Sequence, residues 1–150
     1  MNIKAIIVSG LVRCFDFKTR SNRSEFWIFY IFTQIMSIIA YQIDMFFGLQ
    51  LISINLSNDE ILRIPGPAEI FIFFLFVFPL IALQVRRLHD LNFSGWWLMF
   101  IFMLPPIFTV TVNPTIEQLV LFIVLIFFLF LVVMSLKSFK GDNKYGPTIK

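Results

Sequence analysis

Cysteine and histidine each occur once in this chain, and charge is scarce throughout. A lone Cys14 excludes an internal disulfide. With a single histidine, a zinc site would have to be built mainly from carboxylates, an uncommon donor set, so no metal and no cofactor is expected. Only 14% of the 150 residues are charged, against about 25% in an ordinary soluble domain. Apolar residues take their place: 59% of the chain is hydrophobic, with 21 phenylalanines. That much apolar surface exceeds what one soluble core of this length can hide, so the class is an integral membrane protein. No repeat, low-complexity tract or linker divides the chain, and a single membrane domain over residues 1–150 is expected.

The N-terminus does not read as a cleaved signal. Ala5 to Val12 is apolar behind Lys4, but Arg13 follows at once and no small-x-small cleavage site appears. Ile3, Ile6, Ile7, Gly10, Leu11, Cys14 and Phe15 fall on one helical stripe, opposite Asn2, Ser9, Arg13 and Asp16. That spacing predicts an amphipathic interfacial helix over residues 1–17, with an ordinary packing helix as the alternative.

A helix crossing the hydrocarbon needs roughly 20 mostly apolar residues. Four segments approach that length: about 26–47, 68–85, 96–112 and 119–136. Pro79 in the second and Pro105-Pro106 in the third predict kinks, and the double proline also fits a re-entrant hairpin. The outer loop from Gly48 to Pro67 is mildly amphipathic, with Ser57 and Glu60 spaced as a capping box.

Lysine and arginine fix the expected direction. Lys4, Arg13, Lys18, Arg20 and Arg23 precede the first span, Arg86 and Arg87 separate the second from the third, and Lys137, Lys140, Lys144 and Lys150 follow the fourth. Arg63 alone falls on the other side. With the acids counted, one face carries +7 and the other −4, which together restore the chain's net +3. The expected fold is therefore all-α: four transmembrane helices, an N-terminal interfacial amphipathic helix, and both termini cytoplasmic, with residues 137–150 as a cytoplasmic tail.

Ionisable chemistry concentrates on that basic face. Asn22 and Glu25 form a capping-box pattern at the mouth of the first span, followed by Trp27 at interfacial depth. In the stretch QVRRLHDLNFSGWW, Asp90 lies within one helical turn of Arg86 and Arg87. Asn92 suits a left-handed turn, Ser94 can cap the next helix, and Trp96 and Trp97 anchor it. His89 in such a turn is weighted towards a structural role. If the two loops meet, Glu25 and Asp90 neutralise only half of the charge on Arg20, Arg23, Arg86 and Arg87. Arginine suits bidentate capture of phosphate or carboxylate. The expected binding set for an anion or lipid headgroup is therefore Arg20, Arg23, Arg86, Arg87 and His89.

RSEFW (Arg23 to Trp27), RRLHD with SGWW (Arg86 to Asp90, and Ser94-Gly95-Trp96-Trp97) and GDNKYGP (Gly141 to Pro147) occur in order along the chain. Together they resemble the signature blocks of a bacterial membrane family catalogued as domain of unknown function 805. Thr19, Asn92 and Thr148-Ile149 depart from the family's pattern without removing a charged signature residue. The resemblance implies a small multi-pass protein of the bacterial inner membrane and brings no reaction, substrate or cofactor. The tail is short enough to fold back, which predicts docking of Asn143 and Tyr145, ahead of Pro147, against the Arg23/Glu25 and Arg86/His89/Asp90 loops.

The leading expectation is a non-enzymatic membrane protein whose basic face binds anionic lipid headgroups or a partner protein, including a second copy of itself. An interfacial enzyme acting on a phosphate-bearing or lipid substrate is one alternative, with Glu25, His89 and Asp90 as acid–base groups. A small transporter or oligomeric channel is the other, although Gln34 and Ser37 well inside the first span offer it thin support. No nucleic-acid-reading module is visible.

Overall fold

The computed structural model describes residues 2–49, 53–56, 60–63, 65–112 and 114–147. Five helices lie among them: α1 (Ile3–Val12), α2 (Arg23–Phe46), α3 (Pro67–Asp90), α4 (Trp96–Val112) and α5 (Ile116–Ser135). A two-stranded antiparallel ribbon, β1 (Ser53–Leu56) with β2 (Glu60–Arg63), pairs Ser53 with Arg63 and Leu56 with Glu60. The 48–67 segment thus holds a ribbon where the sequence suggested a mildly amphipathic loop with a Ser57/Glu60 capping box. Glu60 opens a strand, and Ser57 lies outside the described residues.

Three helices, α2, α3 and α5, are long and apolar enough to cross a membrane; α4, with 17 residues, is shorter. Pro105 and Pro106 lie inside α4, which runs through them as one helix, so the re-entrant hairpin is not formed. The helix ends differ from the apolar boundaries because caps and polar pairs, not hydropathy, set them. Asn22 and Glu25 start α2 at Arg23, and Thr115 and Gln118 form a reciprocal capping box that starts α5 at Ile116. α3 continues five residues past its apolar stretch to Asp90.

Contacts gather the chain into two compact bodies: residues 1–14 with 27–80, and residues 15–26 with 81–150. In the first, Asn2 caps α1 by accepting from the Lys4 amide (3.1 Å). Ile6 and Gly10 are buried, and a Cβ on Gly10 would come within 2.4 Å of the Phe29 ring. That close approach packs α1 against α2 along Ile6 and Gly10, while Ile3, Val8 and Val12 of the same helix stay exposed. Phe29 and Phe32 meet Phe76 edge-on at 6.2 and 5.7 Å, a favoured aromatic geometry.

A cap supplied by another helix joins α2 to α3 in this body. Asp44 is fully buried and accepts from the amides of Ala68 (3.1 Å) and Glu69 (2.9 Å), two of the orphan donors at the start of α3. Gly66 is required there, because a Cβ would strike the Asp44 carboxyl at 2.3 Å. Replacing Asp44 by alanine is expected to lower stability by about 1–2 kcal/mol, the upper part of the range for a lost N-terminal cap. Asp44→Asn should retain most of it. Thermal unfolding of the two variants in detergent checks the ranking.

In the second body, α4 packs on α5, with the Phe108 and Phe122 rings stacked at 4.1 Å. Leu98, Phe130 and Met134 are buried. Gly95 lets the start of α4 approach α3, since a Cβ there would lie 2.7 Å from Val85. Elsewhere the apolar surface faces outward: Phe46 and Val110 are 84% and 85% exposed. Exposed apolar surface on this scale needs lipid around it.

Candidate functional site

Two arginines of the second body, Arg20 and Arg87, converge on Asp90, the last residue of α3. Its Oδ1 accepts from Arg20 Nε (3.1 Å) and Nη2 (2.9 Å), and its Oδ2 accepts from Arg87 Nη1. Asp90 and Arg87 are fully buried, and Arg20 is 4% exposed. One carboxylate therefore bridges two guanidinium groups out of contact with water. Such an arrangement is tolerated only where the remaining donors also find acceptors.

Those acceptors are backbone carbonyls of the C-terminal segment. Arg20 donates to Gly141 O (3.0 Å) and Gly146 O (3.2 Å) through Nη1, and to Phe139 O (3.1 Å) through Nη2. Arg87 donates to Met134 O (3.0 Å) through Nε and to Leu136 O through Nη2, closing the end of α5, whose last carbonyls have no partner within the helix. Its Nη1 also reaches Ser138 Oγ (3.3 Å), and the Phe139 amide donates to Asp90 O (3.1 Å). Three separate stretches thus meet at Arg20, Arg87 and Asp90.

Local sequence explains how each stretch arrives. Asn92 takes φ 65°, and the amides of Asn92 and Phe93 donate to His89 O and Leu88 O, the paired bonds of a Schellman stop. The chain turns at Asn92, and Ser94 precedes α4 with its hydroxyl 3.4 Å from the Trp96 amide. Ser21 donates through its amide to Arg86 O (3.1 Å) and through its hydroxyl to Glu25 (2.6 Å). In the tail, Gly141 and Gly146 hold φ 103° and 129°, values that favour glycine. An Asn143–Gly146 bridge closes a tight loop. Asn143 Nδ2 donates to His89 O (2.9 Å), and the Tyr145 ring stacks on the His89 ring at 3.7 Å with 4° between planes.

Not every expected residue joins the cluster. Arg86 is buried and donates to Ala82 O one turn back (3.3 Å). Arg23 is exposed and takes no part in these hydrogen bonds. Trp27 meets Tyr30 edge-on at 5.9 Å, Trp96 and Trp97 are exposed, and Pro147 is exposed beyond the bridge. The half-neutralised arginine patch expected from charge counting is altered by this geometry. Arg20 makes five hydrogen bonds to protein acceptors and Arg87 four, which leaves neither fork open to an outside phosphate. Among the described residues, the solvent-facing cations of this body are Lys18, Arg23, Lys137, Lys140 and Lys144. Among the described residues no three His, Cys, Asp or Glu side chains converge as a metal site requires. The carbonyl acceptors in the tail left no trace in residue type, but Gly141 and Gly146 marked the turns that present them.

Asp16 organises the approach to Arg20. Burial opposes its ionisation, but the Thr19 hydroxyl (2.6 Å), the amides of Lys18 and Thr19, and the charge of Arg86 hold its pKa below the ordinary 3.8. A depressed carboxylate pKa contributes stability that is present above the ordinary value and lost as pH falls through the folded value. Asp16→Asn should therefore reduce the acid sensitivity of unfolding below about pH 4, and a pH series of melting curves checks it.

These features define a class: a helical membrane protein whose loops on one face are knotted by a buried Arg–Asp–Arg cluster. Residues 14–147 match the family described as "Protein of unknown function (DUF805)", and the chain belongs to that family. It is also 28% identical over 139 residues, 93% of this chain and 90% of the relative, to the inner membrane protein YhaI of Escherichia coli strain K12, and equally to YhaI of strain O157:H7. No solved structure matches.

Proposed function

We propose that this chain is a four-span, non-enzymatic protein of the bacterial inner membrane with both termini in the cytoplasm, and that its cytoplasmic face engages anionic lipid headgroups. The carrying observation is the division of its basic residues. Arg20 and Arg87 are buried and turned inward on Asp90 and backbone carbonyls, while Lys18, Arg23, Lys137, Lys140 and Lys144 face outward. The inner set organises loops and has no group poised on a reacting atom. The outer set can act at the membrane surface, where each cation near anionic lipid contributes about 1 kcal/mol.

Four spans follow if α4, at 17 residues and about 25 Å, crosses with Trp96 and Trp97 at its interfacial end. The basic excess then lies on the cytoplasmic side. Inner-membrane residence is supported by the name of the E. coli relative. Mass spectrometry of the protein released gently from its native membrane tests the headgroup preference. Co-purifying phospholipid should be enriched in anionic species over the bulk membrane; a composition equal to the bulk would contradict the proposal.

A further inference from the structure

We infer that the groove between α3 and α4 holds one acyl chain of an anionic phospholipid, whose phosphate lies beside the tail at Lys144 and Lys18. This rests on the headgroup reading above and gives it a defined site. The groove encloses about 600 Å³, within the range of about 300–1,000 Å³ typical of small-molecule sites. Its walls are apolar: Ile81 and Val85 from α3, and Leu98, Met99 and Phe102 from α4. Its polar lining groups are His89, Ser94 and Tyr145. A wall of this composition with a few polar groups fits an amphiphile better than a soluble metabolite.

Charge selects among amphiphiles. Lys144 is exposed, with Nζ 4.9 Å from the centre of the Tyr145 ring, which itself lines the groove. Phe17 also lines it, and the adjacent Lys18 is exposed. Of the acids in these segments, Asp16 is engaged by Thr19 and two amides, and Asp142 is exposed two residues before Lys144. The start of α4 adds its partial positive charge at Ser94 to Trp96. Tyr145 reaches this place only because Asn143 and the Arg20 bonds fold the tail back, so the buried cluster would build one wall of the lipid site.

The test uses full-length protein in bilayer discs of phosphatidylcholine with phosphatidylglycerol, and a photoactivatable probe in the acyl chain of either lipid. Phosphatidylglycerol probe should label segments 81–85 and 94–102 preferentially. Met99→Trp, which fills the groove from its exposed side, should abolish that preference. Lys144→Gln should lower it about fivefold, the change given by losing one surface cation worth about 1 kcal/mol. Labelling spread evenly over α2 to α5, or unchanged in Met99→Trp, overturns the groove assignment and leaves the headgroup proposal standing if phosphatidylglycerol still labels more than phosphatidylcholine. Equal labelling by both probes overturns both. If Met99→Trp fails to fold, the wild-type labelling map alone decides.

Discussion

Asp90→Ala is expected to be the most damaging single substitution in the chain. It leaves Arg20 and Arg87 buried side by side with no counter-charge, and removing one partner of a buried ion pair costs about 3–5 kcal/mol. Against total stabilities of about 5–15 kcal/mol, that loss would leave little folded protein in detergent. Asp90→Asn should be milder, because the amide oxygen can still accept one guanidinium bond. Arg23→Ala serves as the comparison: it removes an exposed arginine three residues from Arg20 and should change stability little. A melting midpoint for Asp90→Ala within about 2 °C of wild type would show that the carboxylate does not bridge the two arginines.

Ending the chain at Lys140 should have the second largest effect. Gly141 O and Gly146 O would be lost to Arg20, Asn143 to His89 O, and the Tyr145 ring to the His89 face. Hydrogen bonds to charged groups contribute about 1.5–3 kcal/mol each, less where water can replace the lost acceptor. A loss of about 2–4 kcal/mol is expected from the two carbonyls together. Tyr145→Ala should cost less, near the 0.5–1.5 kcal/mol of an aromatic pair beyond its buried area. Equal unfolding midpoints for the shortened and full-length chains would mean that the tail is not docked.

Much of this architecture was legible in residue order because membranes write simple rules. Apolar runs of helical length located α2, α3 and α5, and Asn22 with Glu25 marked the start of α2. Asn92 marked the stop of α3, since few residues other than asparagine and glycine adopt positive φ readily. The 48–67 loop resisted reading, because a short two-stranded ribbon and a mildly amphipathic capped segment use similar residues. Asp44 was visible only as a polar residue near a span end. Its partners are backbone amides 24 and 25 positions away, which carry no sequence signature. Arg20 and Arg87 were recognisable as members of one cluster but not as buried. Charge counting treats every arginine as facing water, whereas three of Arg87's four bonds and all five of Arg20's depend on where tail and helix-end carbonyls fall or on one shared carboxylate.

We propose that the α3–α4 turn and the tail lie on one side of the membrane, where Arg20, Arg87 and Asp90 tie them together. Single cysteines at Phe93, Lys140 and Glu117, each in a Cys14→Ser background, test it with a membrane-impermeant maleimide. Phe93→Cys and Lys140→Cys should label only after the cells are opened, and Glu117→Cys in intact cells. Labelling of Phe93→Cys and Lys140→Cys from opposite sides would contradict this arrangement outright, because neither the Phe139 amide could reach Asp90 O nor Arg20 and Arg87 the tail carbonyls.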